Sequence, residues 1–416
     1  MGAPTSDVSQ RLSEEHLEEL ARLTETAGGV VASLLRQRLS YPNPRYYVGE
    51  GKAQELKGLV EVTGANLVIF DEELSPAQGK NLEDLLGVRV MDRAELILDI
   101  FATRARSREA KLQVELAQLE YLLPRLRRMW IHLSRIRGGI GLRGPGETQL
   151  ETDRRLIGNR IADLKDKLQE VAKARAVQRR SREGEFRAAL VGYTNVGKSS
   201  ILKSLSGADL FVEDRLFATL DSATRVVDLG SGHQALVTDT VGFIRKLPHH
   251  LIASFRSTLE EAREADILLN VMDASDPSWE EHRDVVHEVL DELDLTQRPQ
   301  LLVFNKIDRL THQEERDLRR RIRALEPTPA VFVSAHREES LVRLKDALKA
   351  RIRARLRRLT VSVPFADGET LATLHREGEV LAQRENGSGV EMDVRVPESL
   401  AGRLRQRPGI EILKEA

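Results

Sequence analysis

The sequence predicts an α/β multidomain chain, and three observations support it. Residues 192–199 read Gly-Tyr-Thr-Asn-Val-Gly-Lys-Ser, behind an apolar run at 186–191 and ahead of a helix-compatible stretch at 200–205. The first hundred residues alternate helix and strand signals, and two later stretches repeat apolar residues at alternating spacings of four and three. Strands alternating with helices build a parallel sheet, and facing apolar seams build a packed helix pair. The organisation that follows is an N-terminal parallel α/β domain over 1–103, an antiparallel helical hairpin over 104–183, a phosphate-loop domain over 184–358 and a small C-terminal α+β domain over 359–416.

In the first domain the helix-like windows are 14–26, 52–60 and 76–86, and the strand-like windows are 30–35, 67–70 and 88–91. Gly49-Glu50-Gly51-Lys52 imitates a phosphate loop, but its Gly-x-Gly-Lys spacing is too short and no long apolar strand leads into it. It reads as a turn before a helix.

The hairpin has one seam of Leu112, Leu116, Leu119, Leu123, Leu126 and Trp130, and a second of Ile157, Ile161, Leu164, Leu168 and Val171. Pro124 lies inside the first and is expected to kink it or break its hydrogen bonding locally. The whole chain carries a net charge of −1, yet residues 103–143 hold ten Arg or Lys against three Glu, a local +7. That is an electrostatic footprint for phosphate. Residues 137–147 pack five glycines and one proline between Arg137 and Glu147, with Arg143 among them. Such a basic tip cannot bury a core of its own and suits insertion along an RNA surface. Arg127, Arg128, Arg137 and Arg143 are the candidate RNA contacts.

In the third domain Gly192 and Gly197 let the loop turn tightly enough for successive backbone N–H groups to face phosphate oxygens, with a helix N-terminus behind them. Tyr193, Thr194, Asn195 and Val196 supply the intervening amides. Lys198 reaches the β- and γ-phosphates, and Ser199 ligates Mg²⁺. Asp239-Thr240-Val241-Gly242 follows the apolar run 235–237, placing Asp239 to hold Mg²⁺ through water and the Gly242 amide to sense the γ-phosphate. Upstream, in Phe217-Ala218-Thr219-Leu220-Asp221, Thr219 gives its hydroxyl to Mg²⁺ in the triphosphate state. The strand-like 301–304 ends in Asn305-Lys306-Ile307-Asp308. There Asp308 can accept two hydrogen bonds from guanine N1–H and the 2-amino group, which adenine cannot offer. Ser334-Ala335-His336, after a short strand signal, completes the base pocket. GTP with Mg²⁺ is therefore the expected ligand, and a P-loop GTPase domain the expected fold of this third.

These residues carry a family likeness. The chain resembles the HflX GTPases over nearly its whole length, most specifically at 111–119, 138–155, 216–221 and 239–248. It departs from the family habit at Lys203, Ser222 and Ala223, none of them a nucleotide contact. The resemblance implies a protein that binds the large ribosomal subunit, with its hairpin tip near the peptidyl transferase centre, and that splits stalled or idle ribosomes in a GTP-dependent way. It implies a monomer when free.

Ras-like GTPases place a Gln after the sensor glycine to orient the attacking water. This chain has Phe243, which cannot hydrogen-bond water, so slow unaided turnover is expected. His249 and His250 read as surface residues, since adjacent histidines point different ways on a helix.

Residues 341–358 read as a helix ending in Arg351, Arg353, Arg355, Arg357 and Arg358, a solvated face. Strand-like 361–363, helical 371–377 and strand-like 390–396 follow. With no cysteine in 416 residues, disulfides and thiolate metal sites are excluded. No basic-then-apolar leader opens the sequence and no stretch nears the roughly 20 apolar residues of a membrane span. The expectation is a cytoplasmic protein, with peripheral membrane association left open.

Overall fold

The computed structural model describes residues 1–4, 9–129, 145–180, 185–208, 213, 215–230, 232–247, 261–387 and 389–415. The chain forms two compact units. The first comprises Met1–Gln178, Glu213–Asp221 and Val241–Glu260, and the second comprises Arg179–Val212, Ser222–Thr240 and Glu261–Ala416.

In the first unit, helices α1 (Gln10–Thr26), α2 (Glu50–Thr63), α3 (Pro76–Leu86) and α4 (Arg93–Arg104) accompany the parallel pair β1 (Leu67–Phe70) and β2 (Arg89–Asp92). Helix ends follow local chemistry. Ser75 and Gln78 form a reciprocal capping box on α3 with Pro76 in its first turn, and Gly87 closes that helix in the left-handed region. Gly49 precedes α2 and Lys52 pairs with Glu55 at 2.9 Å, so the Gly-x-Gly-Lys stretch is a helix start. Val48, Ala53, Phe70 and Leu82 form the fully buried centre of the core. The strand expected over 30–35 is absent: Val30 is 92% exposed, and the ladder contact falls on Arg36, bridged to Gly2. Valines favour extended backbone only where a partner strand lets them pack. This segment meets its partner at its end, where Gly2 N donates to Leu35 O at 3.0 Å.

Helix α5 (Arg108–Met129) starts at Ser107, whose hydroxyl accepts from Ala110 N at 3.0 Å, and runs through Pro124 without interruption. One turn before the proline, the Tyr121 carbonyl accepts from the Arg125 guanidinium at 3.0 Å. Helix α6 (Pro145–Arg180) carries the second seam, with Leu164 fully buried. Glu109 pairs with Arg175 at 2.6 Å and Glu120 with Lys165 at 2.9 Å, the order of an antiparallel pair. Arg137 and Arg143 lie outside the described residues, as do His249 and His250, and the side chains of Arg127 and Arg128 are likewise not described.

The second unit is built on a six-stranded sheet of β3 (Arg187–Gly192), β4 (Ala223–Gly230), β5 (His233–Asp239), β6 (Ile267–Asp273), β7 (Gln300–Asn305) and β8 (Ala330–Phe332), in the order β4-β5-β3-β6-β7-β8. Only β4 is antiparallel to its neighbour. Strands β3, β6 and β7 are almost wholly buried, which is why they read as unbroken apolar runs. Strand β4 gave no such signal because it is an edge strand, with Val226 exposed beside buried Val227. Helices α7 (Lys198–Ser206), α8 (Trp279–Glu292), α9 (His312–Leu325) and α10 (Glu338–Arg353) complete this layer.

The C-terminal part of that unit has β9 (Arg357–Pro364), α11 (Gly368–Glu377), β10 (Glu379–Glu385), β11 (Gly389–Val396), α12 (Glu398–Gln406) and β12 (Glu411–Glu415), its strands antiparallel in the order β10-β11-β9-β12. The helix expected to reach residue 358 stops at Arg353. Arg357 and Arg358 open β9 opposite Val396 and Arg395, and Arg358 pairs with Asp393 at 2.6 Å. Ladder pairing there overrides the local helical pattern.

Candidate functional site

The parallel strands of the second unit end at one edge in Gly192 on β3, Asp239 on β5, Asp273 on β6 and Asn305 on β7. In open α/β sheets this carboxyl edge is where ligands bind. From β3 the chain turns through Gly192 (φ +148°), Asn195 (φ +60°) and Gly197 (φ +93°) into α7. A Cβ at Gly192 would stand 2.3 Å from the Val271 carbonyl oxygen, and one at Gly197 would stand 2.3 Å from Asn305 Nδ2. Only glycine fits at either position.

Lys198 is enclosed by this loop, its Nζ donating to Gly192 O at 3.1 Å and Tyr193 O at 2.8 Å. Burial drives its pKa down to about 8, against the opposing pull of Asp239. Ser199 Oγ donates to Asp239 Oδ2 at 2.5 Å, and Thr240 Oγ1 donates to Leu190 O at 2.7 Å, fixing the chain just past β5.

Asn305 ties two segments together: its Nδ2 donates to Val196 O at 2.8 Å, and its Oδ1 accepts from Ala335 N at 3.1 Å. Lys306, in the left-handed region at φ +62°, donates to Asn195 O at 2.8 Å and pairs with Asp273 at 2.7 Å. Ile307 turns into the core. Asp308 keeps one carboxylate oxygen buried with no hydrogen-bond partner. Burial pushes its pKa up, but the Ser334 hydroxyl, a backbone amide and the charges of His336 and Arg337 outweigh that and hold it below the usual carboxylate range. The 334–336 turn is fastened by Ser204 Oγ donating to Ala335 O at 2.7 Å and by His336 N donating to Ser334 Oγ at 3.2 Å.

The structure thus brings together residues 192–199, 239–240, 305–308 and 334–336 in one unit. The other expected site residues belong to the first unit. There Phe217 is buried with its ring edge-on to Phe101 at 4.7 Å, and Leu220, Val241 and Phe243 are buried as well. Asp221, expected beside the nucleotide, is a cap instead: its carboxylate accepts from the Arg106 and Ser107 amides at 3.2 and 3.1 Å and from the Ser107 hydroxyl. Sequence reasoning missed Asp273, which ends an apolar run just as Asp239 does, so its signal was available.

Family models described as "GTP-binding GTPase N-terminal", "GTP-binding GTPase Middle Region" and "50S ribosome-binding GTPase" match residues 14–102, 104–182 and 187–306. The chain is 44% identical to the GTPase HflX of Caldanaerobacter subterraneus, over 96% of this chain and 91% of that protein. The chain belongs to the HflX GTPase family. The GTPase HflX of Escherichia coli is 45% identical over 92% of this chain and 90% of its own length. A crystal structure of a GTP-binding protein from Sulfolobus solfataricus in complex with GDP aligns at 27% identity and a TM-score of 0.43, over 84% of this chain and 99% of that one. As an HflX-family member the chain is a GTPase, with the P-loop GTPase fold in its second unit. Among the described residues of this HflX chain, no helix is long and apolar enough to cross a membrane.

Proposed function

We propose that this HflX-family GTPase binds the large ribosomal subunit and dissociates stalled or idle ribosomes, with GTP hydrolysis resetting it for another round. The description "50S ribosome-binding GTPase" of the model matching residues 187–306 carries the partner. The +7 charge over 103–143 supports an RNA-facing hairpin, with Arg127, Arg128, Arg137 and Arg143 as contacts. At the nucleotide, Asp308 has a buried acceptor oxygen in want of a donor, and guanine supplies two. The amides of residues 192–197 and the Lys198 ammonium take the phosphates, and Ser334, Ala335 and His336 border the base.

Mg²⁺ fits the residues present. Ser199 Oγ and Asp239 Oδ2, 2.5 Å apart, are the hard oxygen ligands this ion takes. Ser199 would hold it directly, Asp239 through water and Thr219 in the triphosphate state, and the ion would neutralise phosphate charge. Gly242 reports the γ-phosphate.

The test is co-sedimentation with purified large subunits in GTP, in GDP and without nucleotide, using the parent and Lys198→Ala. GTP-dependent association that the variant loses is expected; association indifferent to nucleotide would sink the proposal. Phe243 favours a second reading, in which GTP occupancy alone gates binding and hydrolysis is dispensable for the primary action. Full single-round splitting with a slowly hydrolysed GTP analogue would establish it.

A further inference from the structure

The turn between β6 and α8 contains two aspartates three residues apart, and each uses its two oxygens differently. Asp273 Oδ1 accepts from the Ser275 amide at 2.9 Å and the Ser275 hydroxyl at 2.6 Å, while Oδ2 pairs with Lys306. Lys306 in turn donates to the Asn195 carbonyl, so this relay ends on the phosphate loop. Asp276 repeats the pattern. Its Oδ1 accepts from Ser278 N at 2.9 Å, and its Oδ2 lies 3.6 Å from His282 Nδ1. The imidazole of His282 stacks on the phenol ring of Tyr193, centroids 3.9 Å apart and planes 13° from parallel.

Tyr193 is the first residue after Gly192, it is 4% exposed, and its own carbonyl accepts from Lys198. Its ring is therefore the handle by which the start of the loop can be held. We propose that His282 is a positioning residue for GTP binding: stacked on Tyr193 and steadied by Asp276, it fixes the start of the phosphate loop in its ligand-ready shape. This rests on the assignment of residues 192–199 as the phosphate contacts. The second relay adds to the first, since Lys306 holds the middle of the loop at Asn195 while His282 packs on the ring of Tyr193. If the whole worth of an aromatic stack of this geometry were expressed in loop order, its loss would raise Kd by about twofold to thirteenfold.

Three variants of the full chain test it: His282→Ala, His282→Phe and Lys198→Ala, each titrated with GTP and GDP and assayed for turnover and melting of the nucleotide-free protein. His282→Ala is expected to weaken GTP and GDP by about threefold to tenfold, to raise KM with kcat within twofold, and to lower melting of the nucleotide-free protein by only a few degrees. His282→Phe, which keeps the stack, is expected to recover the affinity. Parent-like affinity in His282→Ala overturns the proposal, as does a loss that Phe does not recover. Lys198→Ala separates the failures. If it binds GTP as the parent does, the phosphate-loop assignment itself is wrong; if it loses GTP while His282→Ala does not, only the role of His282 is refuted.

Discussion

Lys198 and Asp308 show how single residues are poised for a ligand by opposite means. Lys198 is an ammonium enclosed by carbonyls, its pKa lowered to about 8 by burial. A triphosphate beside it restores a higher value, so binding near pH 8 takes up about half a proton. Calorimetry at that pH in buffers of different ionisation enthalpy measures the uptake, and the affinity for GTP should fall as pH rises above 8. Lys198→Ala should bind without the proton. Asp308 instead stays ionised and keeps one buried oxygen vacant of donors. Replacing it with Asn turns an acceptor into a donor opposite the guanine 2-amino group. GTP affinity should drop by a factor on the order of a hundred, and xanthosine triphosphate, which has an oxygen at that position, should gain. Equal losses for both nucleotides would place the base elsewhere. Residues 192–199 and 305–308 were legible as compact motifs in the sequence, although the contacts that join them, Asn305 to Val196 and Lys306 to Asn195, span more than a hundred residues. The capping role of Asp221 had no signal in the sequence, since its partners Arg106 and Ser107 are more than a hundred residues away.

At the scale of elements, α1, β1, α4 and the segment after β5 meet in one buried ionic cluster. Arg93 pairs with Asp71 at 2.7 Å and with Glu19, and its Nε donates to the Arg245 carbonyl at 3.2 Å. Lys246 reaches Asp71 at 2.7 Å and Glu72 at 3.4 Å, and Arg245 reaches Glu19 at 3.1 Å. Three cations thus face three carboxylates. Removing Arg93 takes one of two cations from Asp71, and because Lys246 still faces that carboxylate, Arg93→Met should destabilise this unit by about 3 kcal/mol, the low end for a broken buried pair. His16 on α1 adjoins the cluster, and burial with the charges of Arg245 and Lys246 lowers its pKa to about 4. The unfolded chain binds a proton near pH 6.5 that the folded one refuses until about pH 4, so stability declines as pH falls through that window. His16→Leu should remove roughly one proton's worth of that slope, read from urea unfolding across pH; an unchanged slope would refute the assignment. The windows expected at 67–70 and 76–86 coincide with β1 and α3, whose pattern and caps lie within the segment itself. The strand expected at 30–35 failed for want of a partner strand, and the helix expected to run to 358 failed because Arg357 and Arg358 pair with a distant one.

At the scale of the molecule, the chain crosses between its two units on both sides of the β4–β5 hairpin, so that Thr240 belongs to the second and Gly242 to the first. The residue that follows Gly242 is Phe243, whose ring is 2% exposed. A buried phenyl ring can neither donate to nor accept from a water molecule, so on the proposed site residue 243 does not orient the nucleophile. Hydrolysis by the free protein should therefore run near the roughly 10⁻⁴ to 10⁻³ per second of unassisted Ras. An added large subunit should raise it by ordering the segments around Thr219 and Gly242 and supplying the missing polar group. Phe243→Gln tests the cause directly. If the absent hydrogen-bonding side chain limits the rate, the variant gains turnover alone and responds less to the subunit. A buried Gln also leaves an amide to be satisfied, so melting must be followed alongside the rate. A free parent enzyme as fast as the subunit-bound one would show that the nucleophile is already oriented by a group other than residue 243.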